Sequence, residues 1–181
     1  MQTFSELNSR VIPLAMDDVD TDMIIPAQFL TKIDRDGYGD YLFKRLREQN
    51  AHFVFNDPDY KQAQILLTKK NFGCGSSREH AVWALQQYGI RVIIAQSYSD
   101  IFYNNAAKNG LLLISLSSDI INNLLQLGAA QNIEFTVDLL NQTVGLPDGE
   151  QYYFDYDPFR KNCLLKGQDD LDYLLEATQH A

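Results

Sequence analysis

Short apolar runs alternate with amphipathic stretches through the middle of the chain. Ile65 to Leu67, Val92 to Ala95 and Leu111 to Ile114 are the runs, and Glu79 to Tyr88 and Asp100 to Lys108 the stretches between them. In the first stretch Ala81, Val82, Ala84, Leu85 and Tyr88 recur at spacings of three and four, which makes one apolar helix face, and Gly89 supplies a stop. Ser97 or Ser99 can cap the second helix, and Asn109 with Gly110 can end it. A strand, helix, strand, helix, strand series implies parallel pairing with right-handed crossovers. The predicted class is α/β.

Beyond this core, Ser117 or Ser118 opens a third helical pattern through Ile120, Leu124 and Leu127 to Gly128. IEFTVDLLNQTVGL then reads as two alternating strands around a turn near Asn141, residues 150 to 157 add a further strand, and 169 to 177 form a terminal helix capped by Asp169 or Asp170. No internal repeat or linker interrupts the chain, so residues 1–181 are expected to form a single domain. The amino-terminal region differs. MDDVDTDMIIPAQFLTKIDRDGYGDYLF sets acidic residues before Ile24, Ile25 and Pro26, then a polar loop with Lys32, Arg35, Gly37 and Gly39. Such a loop fits either a ligand lid or an ordinary surface connection.

Composition narrows the partners. A formal charge of −9 with no Lys/Arg block argues against nucleic acid and anionic membrane, so an anionic ligand must be captured by local geometry. No segment reads as a signal peptide or a membrane span, and a cytoplasmic location is expected. Cys74 and Cys163 are the two cysteines, and without a CxxC they suggest neither a disulfide scaffold nor a zinc site.

The densest chemistry lies in NFGCGSSREHA, residues 71 to 81. Ser76 followed three residues later by Glu79 fits a helix capping box, which needs no function. That reading does not require glycine at both Gly73 and Gly75, nor does it favour the positive Arg78 in a first helical turn. Glycines before a helix allow a sharp turn and a close approach to ligand, free N–H groups at the helix start attract an anion, and Arg78 adds a bidentate fork. Together they describe a carboxylate or phosphate site. GxxxxGK[ST] is absent, so the pattern is not a nucleotide loop. Cys74 is expected to be buried and inert rather than nucleophilic, and His80, inside the helix, to pack or orient.

NFGCGSSREHA, DTDMIIPAQFL at 20 to 30, SYSDIFYNNAAKNGLL at 97 to 112 and FRKNCLLKGQDDLDYLL near the end occur together and in order. In this the chain resembles the small subunits of 3-isopropylmalate dehydratases, a family of the aconitase superfamily. The resemblance implies a fold like the aconitase swivelling domain, a mainly parallel β-sheet flanked by helices with additional β structure. It implies isomerisation of 2-isopropylmalate to 3-isopropylmalate through isopropylmaleate, in leucine biosynthesis. In the superfamily three cysteines hold a [4Fe-4S] cluster, which binds the departing hydroxyl. Two cysteines in unrelated contexts cannot do so here, so no cofactor is expected on this chain, and the cluster is expected on a large partner subunit. By position Ser76 is implied to be the base, Ser77 and Arg78 to bind substrate carboxylate, and Asp22 to organise the substrate-binding site.

The chain departs from aconitase relatives in carrying Ile25 where they have a serine, and the resemblance makes Leu30 and Thr31 candidates for the wall that recognises the isopropyl group. Val82 and Ala106 replace an expected proline and cysteine, and both read as packing positions on helices. Two alternatives stand: a subunit acting on citraconate and 2-methylmalate or on a homoaconitate-type substrate, and a carboxylate-binding domain without catalysis.

Overall fold

A computed structural model describes residues 1–31, 35–130 and 132–180. The chain forms β1 (Glu6–Pro13), two short helices α1 (Thr21–Ile24) and α2 (Lys44–Gln49), β2 (Ile65–Leu67), α3 (Glu79–Tyr88), β3 (Val92–Ala95) and α4 (Asp100–Asn109). It continues through β4 (Leu112–Ser115), α5 (Ser118–Ala130), β5 (Glu134–Asp138), β6 (Thr143–Gly145), β7 (Gln151–Tyr153), α6 (Pro158–Lys166) and α7 (Asp170–Gln179). No helix among the described residues is long and apolar enough to cross a membrane.

The strands make one seven-stranded sheet in the order β4-β3-β2-β1-β5-β6-β7. Strands β1 to β4 pair in parallel, so that Val11, Ile65, Val92 and Leu112 stand in one row. The additional β structure continues the same sheet: β5, β6 and β7 extend it antiparallel from the other edge of β1. Alternate side chains of the parallel strands feed two cores. Ile12, Leu66 and Ile93 face α3 and α4, whereas Val11, Ile65 and Val92 face α5 and α6. Val82 and Ala106 are fully buried, as packing positions should be.

The expected caps are narrowed to single residues. Ser99 Oγ accepts from Phe102 N–H at 3.3 Å, Gly110 ends α4 in the left-handed region, and Asp169 forms a reciprocal capping box with Asp172. Sequence patterning missed the pivotal strand β1. Its buried and exposed positions alternate, but one buried position is Ser9. That hydroxyl is satisfied by donating to Arg10 O and accepting from Gln64 N–H, both at 2.8 Å.

The segments leaving β1, β2 and β3 meet beyond the carboxyl ends of the parallel strands, where open α/β sheets hold ligands. The loop after β2 is stitched on both sides. Toward the segment leaving β1, Gly73 N–H donates to Val19 O at 2.7 Å and Cys74 O accepts from Thr21 N–H at 2.9 Å. Toward the segment leaving β3, Phe72 N–H donates to Ser97 O and Phe72 O accepts from Ser99 N–H, both at 3.1 Å, while Ser99 Oγ donates to Gly73 O at 2.8 Å.

Gly73 is the tightest point of this seam. Its φ is +79°, and a Cβ there would come within 2.2 Å of the Phe102 ring, a side chain 2% exposed. Gly89 has a φ of +122° but open space where its Cβ would be. Gly73→Ala should therefore lower the thermal midpoint at least twice as much as Gly89→Ala, by roughly 5–10 °C or more. Equal shifts in calorimetry would mean that backbone conformation alone, not the Phe102 contact, sets the requirement.

Candidate functional site

The stitched loop delivers Gly75, Ser76 and Ser77 to solvent and Arg78 to a half-buried position at the start of α3. Gly75, at a φ of +89°, turns the chain, and Ser76 O accepts from the buried Thr21 hydroxyl at 2.8 Å. The capping box does not form. Arg78 occupies the cap position with an extended backbone, neither serine caps the helix, and Glu79 instead accepts from Asn109 Nδ2 at 3.0 Å. The first N–H groups of α3 thus have no side-chain cap, which leaves the helix start positive beside Ser77 and Arg78.

Arg78 is aimed by the segment leaving β1. Asp20 caps α1, accepting from Met23 N–H at 2.8 Å, and so fixes Asp22 in the first turn. Asp22 Oδ1 accepts from Ala27 N–H at 3.1 Å and from Arg78 Nη1 at 3.2 Å, and Oδ2 accepts from Arg45 Nη1 at 2.9 Å. Arg78 Nη1 also donates to Ile25 O at 3.2 Å. Where aconitase relatives carry a serine, this chain therefore contributes a backbone carbonyl, with the Ile25 side chain fully buried. These bonds use one nitrogen of Arg78; Nε and Nη2 have no hydrogen-bond partner among the described residues. Two guanidinium groups share one carboxylate, a net positive charge suited to an anion. The Arg45 hydrogen bond first and the Ala27 N–H second hold Asp22 below the usual carboxylate range; burial opposes them, and the Arg78 hydrogen bond is a smaller contribution than burial.

A small, narrow cleft lies beside Ser76, Ser77 and Arg78, and Asp22 and Arg45 stand behind it without lining it. Thr21, the loop residues from Gly73 to Arg78 other than Cys74, and Ile101, Phe102 and Asn105 of α4 line it. A roomier hollow lies between the end of α5 and β6, lined by Leu127, Ile133, Leu146 and Pro147. Its charged lining residues are Glu134 and Asp148, which would repel an anion, so size does not identify the site.

Ser76, Ser77, Arg78 and Asp22 are brought together, whereas the two wall candidates are not at this cleft. Leu30 is half-buried against the core, and Thr31 is exposed beside Gln28, Phe29 and Tyr41 in a separate depression. Lys32 lies outside the described residues. Arg35 stacks over Trp83 at 5.0 Å, and Gly39 lies so close to the α3 backbone that a Cβ would meet Tyr88 N at 2.7 Å. The described end of the polar loop thus packs on α3. His80 packs edge-on against Tyr38 and Trp83.

Cys74 is half-buried rather than fully buried, and its carbonyl accepts from Thr21 N–H. Partial desolvation, then Asp20 and Asp18, push its thiol up, which opposes thiolate formation. Cys163 is buried in α6, and desolvation raises its thiol as well. No group of three or more His, Cys, Asp or Glu among the described residues converges as metal ligands, so this donor set does not fit a cluster held by three thiolates. Sequence reasoning missed Thr21, Arg45, Ile101 and Asn105. Thr21, Ile101 and Asn105 lay inside motifs noted for resemblance; Arg45, in KRLRE, offered no spacing signal.

Comparisons with known proteins converge. A family model described as the aconitase C-terminal domain matches residues 1–119, and one described as LeuD_N matches residues 123–158. The 3-isopropylmalate dehydratase small subunit of Francisella philomiragia is 59% identical over 176 residues, covering 97% of this chain and 93% of that protein. The small subunit of Aromatoleum aromaticum is 50% identical and covers 97% and 89%. A crystal structure of 3-isopropylmalate dehydratase from Methanocaldococcus jannaschii superposes with a TM-score of 0.73 at 26% identity, over 96% of each chain. With the motifs, the sheet and the loop all in agreement, the chain belongs to the family of 3-isopropylmalate dehydratase small subunits, within the aconitase C-terminal domain family.

Proposed function

We propose that residues 1–181 act as one unit, the small subunit of a hydro-lyase that isomerises 2-isopropylmalate to 3-isopropylmalate for leucine synthesis. The observation that carries this reading is Arg78 at an uncapped helix start, its guanidinium held from behind by Asp22 and Ile25 O and its remaining nitrogens left for a ligand. A dicarboxylate gives such a group a partner of the right charge and geometry.

In this account Arg78 grips one substrate carboxylate, with Ser77 beside it, and Ser76 removes a proton from the carbon next to a carboxylate. A serine hydroxyl is a very weak acid, so its alkoxide needs strong electrostatic help; the positive start of α3 and the Arg78 charge supply it from this chain. Asp22 positions Arg78 and carries no proton in the reaction. Recognition of the alkyl group by Leu30 and Thr31, which lie apart from this cleft, requires the large subunit to complete the site between them. The departing hydroxyl is left to the large subunit, where we also place the [4Fe-4S] cluster. The cleft on this chain is too small to enclose a dicarboxylate by itself, which supports a site shared between two chains, and the relatives' name, small subunit, implies such a pairing.

The test is anaerobic co-expression with a large subunit and assay of 2-isopropylmalate, citraconate and homoaconitate. Turnover should favour 2-isopropylmalate; preference for either of the others would reassign the substrate, and no turnover of any would leave only carboxylate binding. Within the active complex Ser76→Ala should lower kcat about 1000-fold with little change in KM, whereas Arg78→Lys, losing the fork, should raise KM about tenfold or more. Near-wild-type kinetics for both would refute the roles. Cys74→Ser should stay within about threefold of wild type; a folded but inactive variant would return the thiol to the mechanism.

Asp22 also makes a pH prediction. Because its folded pKa is lowered, its contribution to stability is present above the ordinary carboxylate value and disappears as pH falls through the lowered one. The difference in denaturant stability between wild type and Asp22→Asn should thus be constant above about pH 5 and shrink below about pH 4. A difference that grows on acidification would contradict the ion-pair assignment.

A further inference from the structure

Helix α4 enters the cleft with two side chains that the reading above leaves unused. Ile101 is 53% exposed, a large apolar residue at the lip of a site otherwise polar at its rim. Asn105, one turn on, is half-buried at the same cleft, and its side-chain amide has no hydrogen-bond partner among the described residues. Spacing of four residues places the two on one helix face. With no partner in the protein, this amide is free to exchange water for a ligand oxygen at the cleft.

What makes this face usable is its fixed relation to the loop. The start of α4 is tied to the Phe72–Gly73 backbone by Ser97 and Ser99, and Phe102 fills the space that a Gly73 side chain would need. Ile101 and Asn105 flank Phe102 in sequence, so the contact that sets Gly73 also sets their distance from Ser76, Ser77 and Arg78. Apart from the buried Phe102 ring and the Asn105 amide, the other lining residues offer hydroxyls, backbone and charge, and Ile101 is the exposed aliphatic group among them.

We propose that α4 forms a second wall of the substrate site, in which Asn105 donates a hydrogen bond to a substrate carboxylate oxygen and Ile101 packs against the substrate's alkyl branch. This rests on the assignment of a branched dicarboxylate as substrate and adds a source of selectivity to Leu30 and Thr31. An amide beside an aliphatic group one turn away matches a ligand that carries carboxylate and isopropyl groups on adjoining carbons. Asn105 brings no charge of its own, so it adds direction to the grip of Arg78 without drawing Asp22 away from it.

The experiment uses the complex with the large subunit. Asn105→Ala should raise KM for 2-isopropylmalate about tenfold with kcat within about threefold. Asn105→Asp, close in shape but negative, should raise KM further, and added salt should relieve part of that excess. Ile101→Ala should reduce the preference for isopropylsuccinate over succinate, read as the ratio of their inhibition constants, about tenfold. Thermal midpoints of the variants separate these effects from misfolding. KM within twofold of wild type in both Asn105 variants, or equal weakening of the two inhibitors in Ile101→Ala, would overturn the wall while leaving the enzyme assignment intact. A wild-type complex without activity on 2-isopropylmalate would overturn both.

Discussion

The contact between Gly73 and the Phe102 ring sets the geometry of everything around it. A loop with no side chain at that point can lie directly on α4, and once there its backbone pairs with the segments leaving β1 on one side and β3 on the other. Three chain segments far apart in sequence are thereby fixed at the carboxyl end of the sheet. Backbone hydrogen bonds do this, so the serines and the arginine that follow remain available for chemistry.

From that seam the site's electrostatics follow. Asp20 caps α1, α1 presents Asp22, and Asp22 takes one bond from Arg78 and one from Arg45. The carboxylate holds Arg78 without neutralising the pair, because the second guanidinium compensates its charge. Both cations are partly solvated, with side chains 18% and 47% exposed for Arg78 and Arg45, so the arrangement contributes orientation more than stability. In a chain with a net charge of −9, Asp22 with its two guanidinium groups forms a local cluster that is positive on balance, next to the loop serines.

Much of this was legible in sequence where local rules decide. The helix periods of α3 and α4, the glycine stops and the meander after residue 132 follow from patterns within a dozen residues. β1 was not, because buried Ser9 breaks the apolar alternation and finds its partner 55 residues away in Gln64. The capping box was misleading for a related reason: Glu79 has a better partner in Asn109, 30 residues on, and the loop's pairing with Val19 and Thr21 holds the serines out of the cap position. Arg78 was legible from its place at a glycine-preceded helix start and Asp22 through motif likeness, but Arg45 and Asn105 gain their positions from packing between elements that no spacing rule connects.

The central claim is that this chain supplies a docking-competent half-site whose reactive group is Ser76. The most direct measurement is competition between chains for a limiting amount of large subunit. Folded Ser76→Ala chain, titrated against wild type, should occupy the large subunit without turning over, so that activity falls to about half at equal amounts and continues toward zero. Activity that stays constant as the variant is added, whether because the variant does not dock or because it is itself active, would contradict the account.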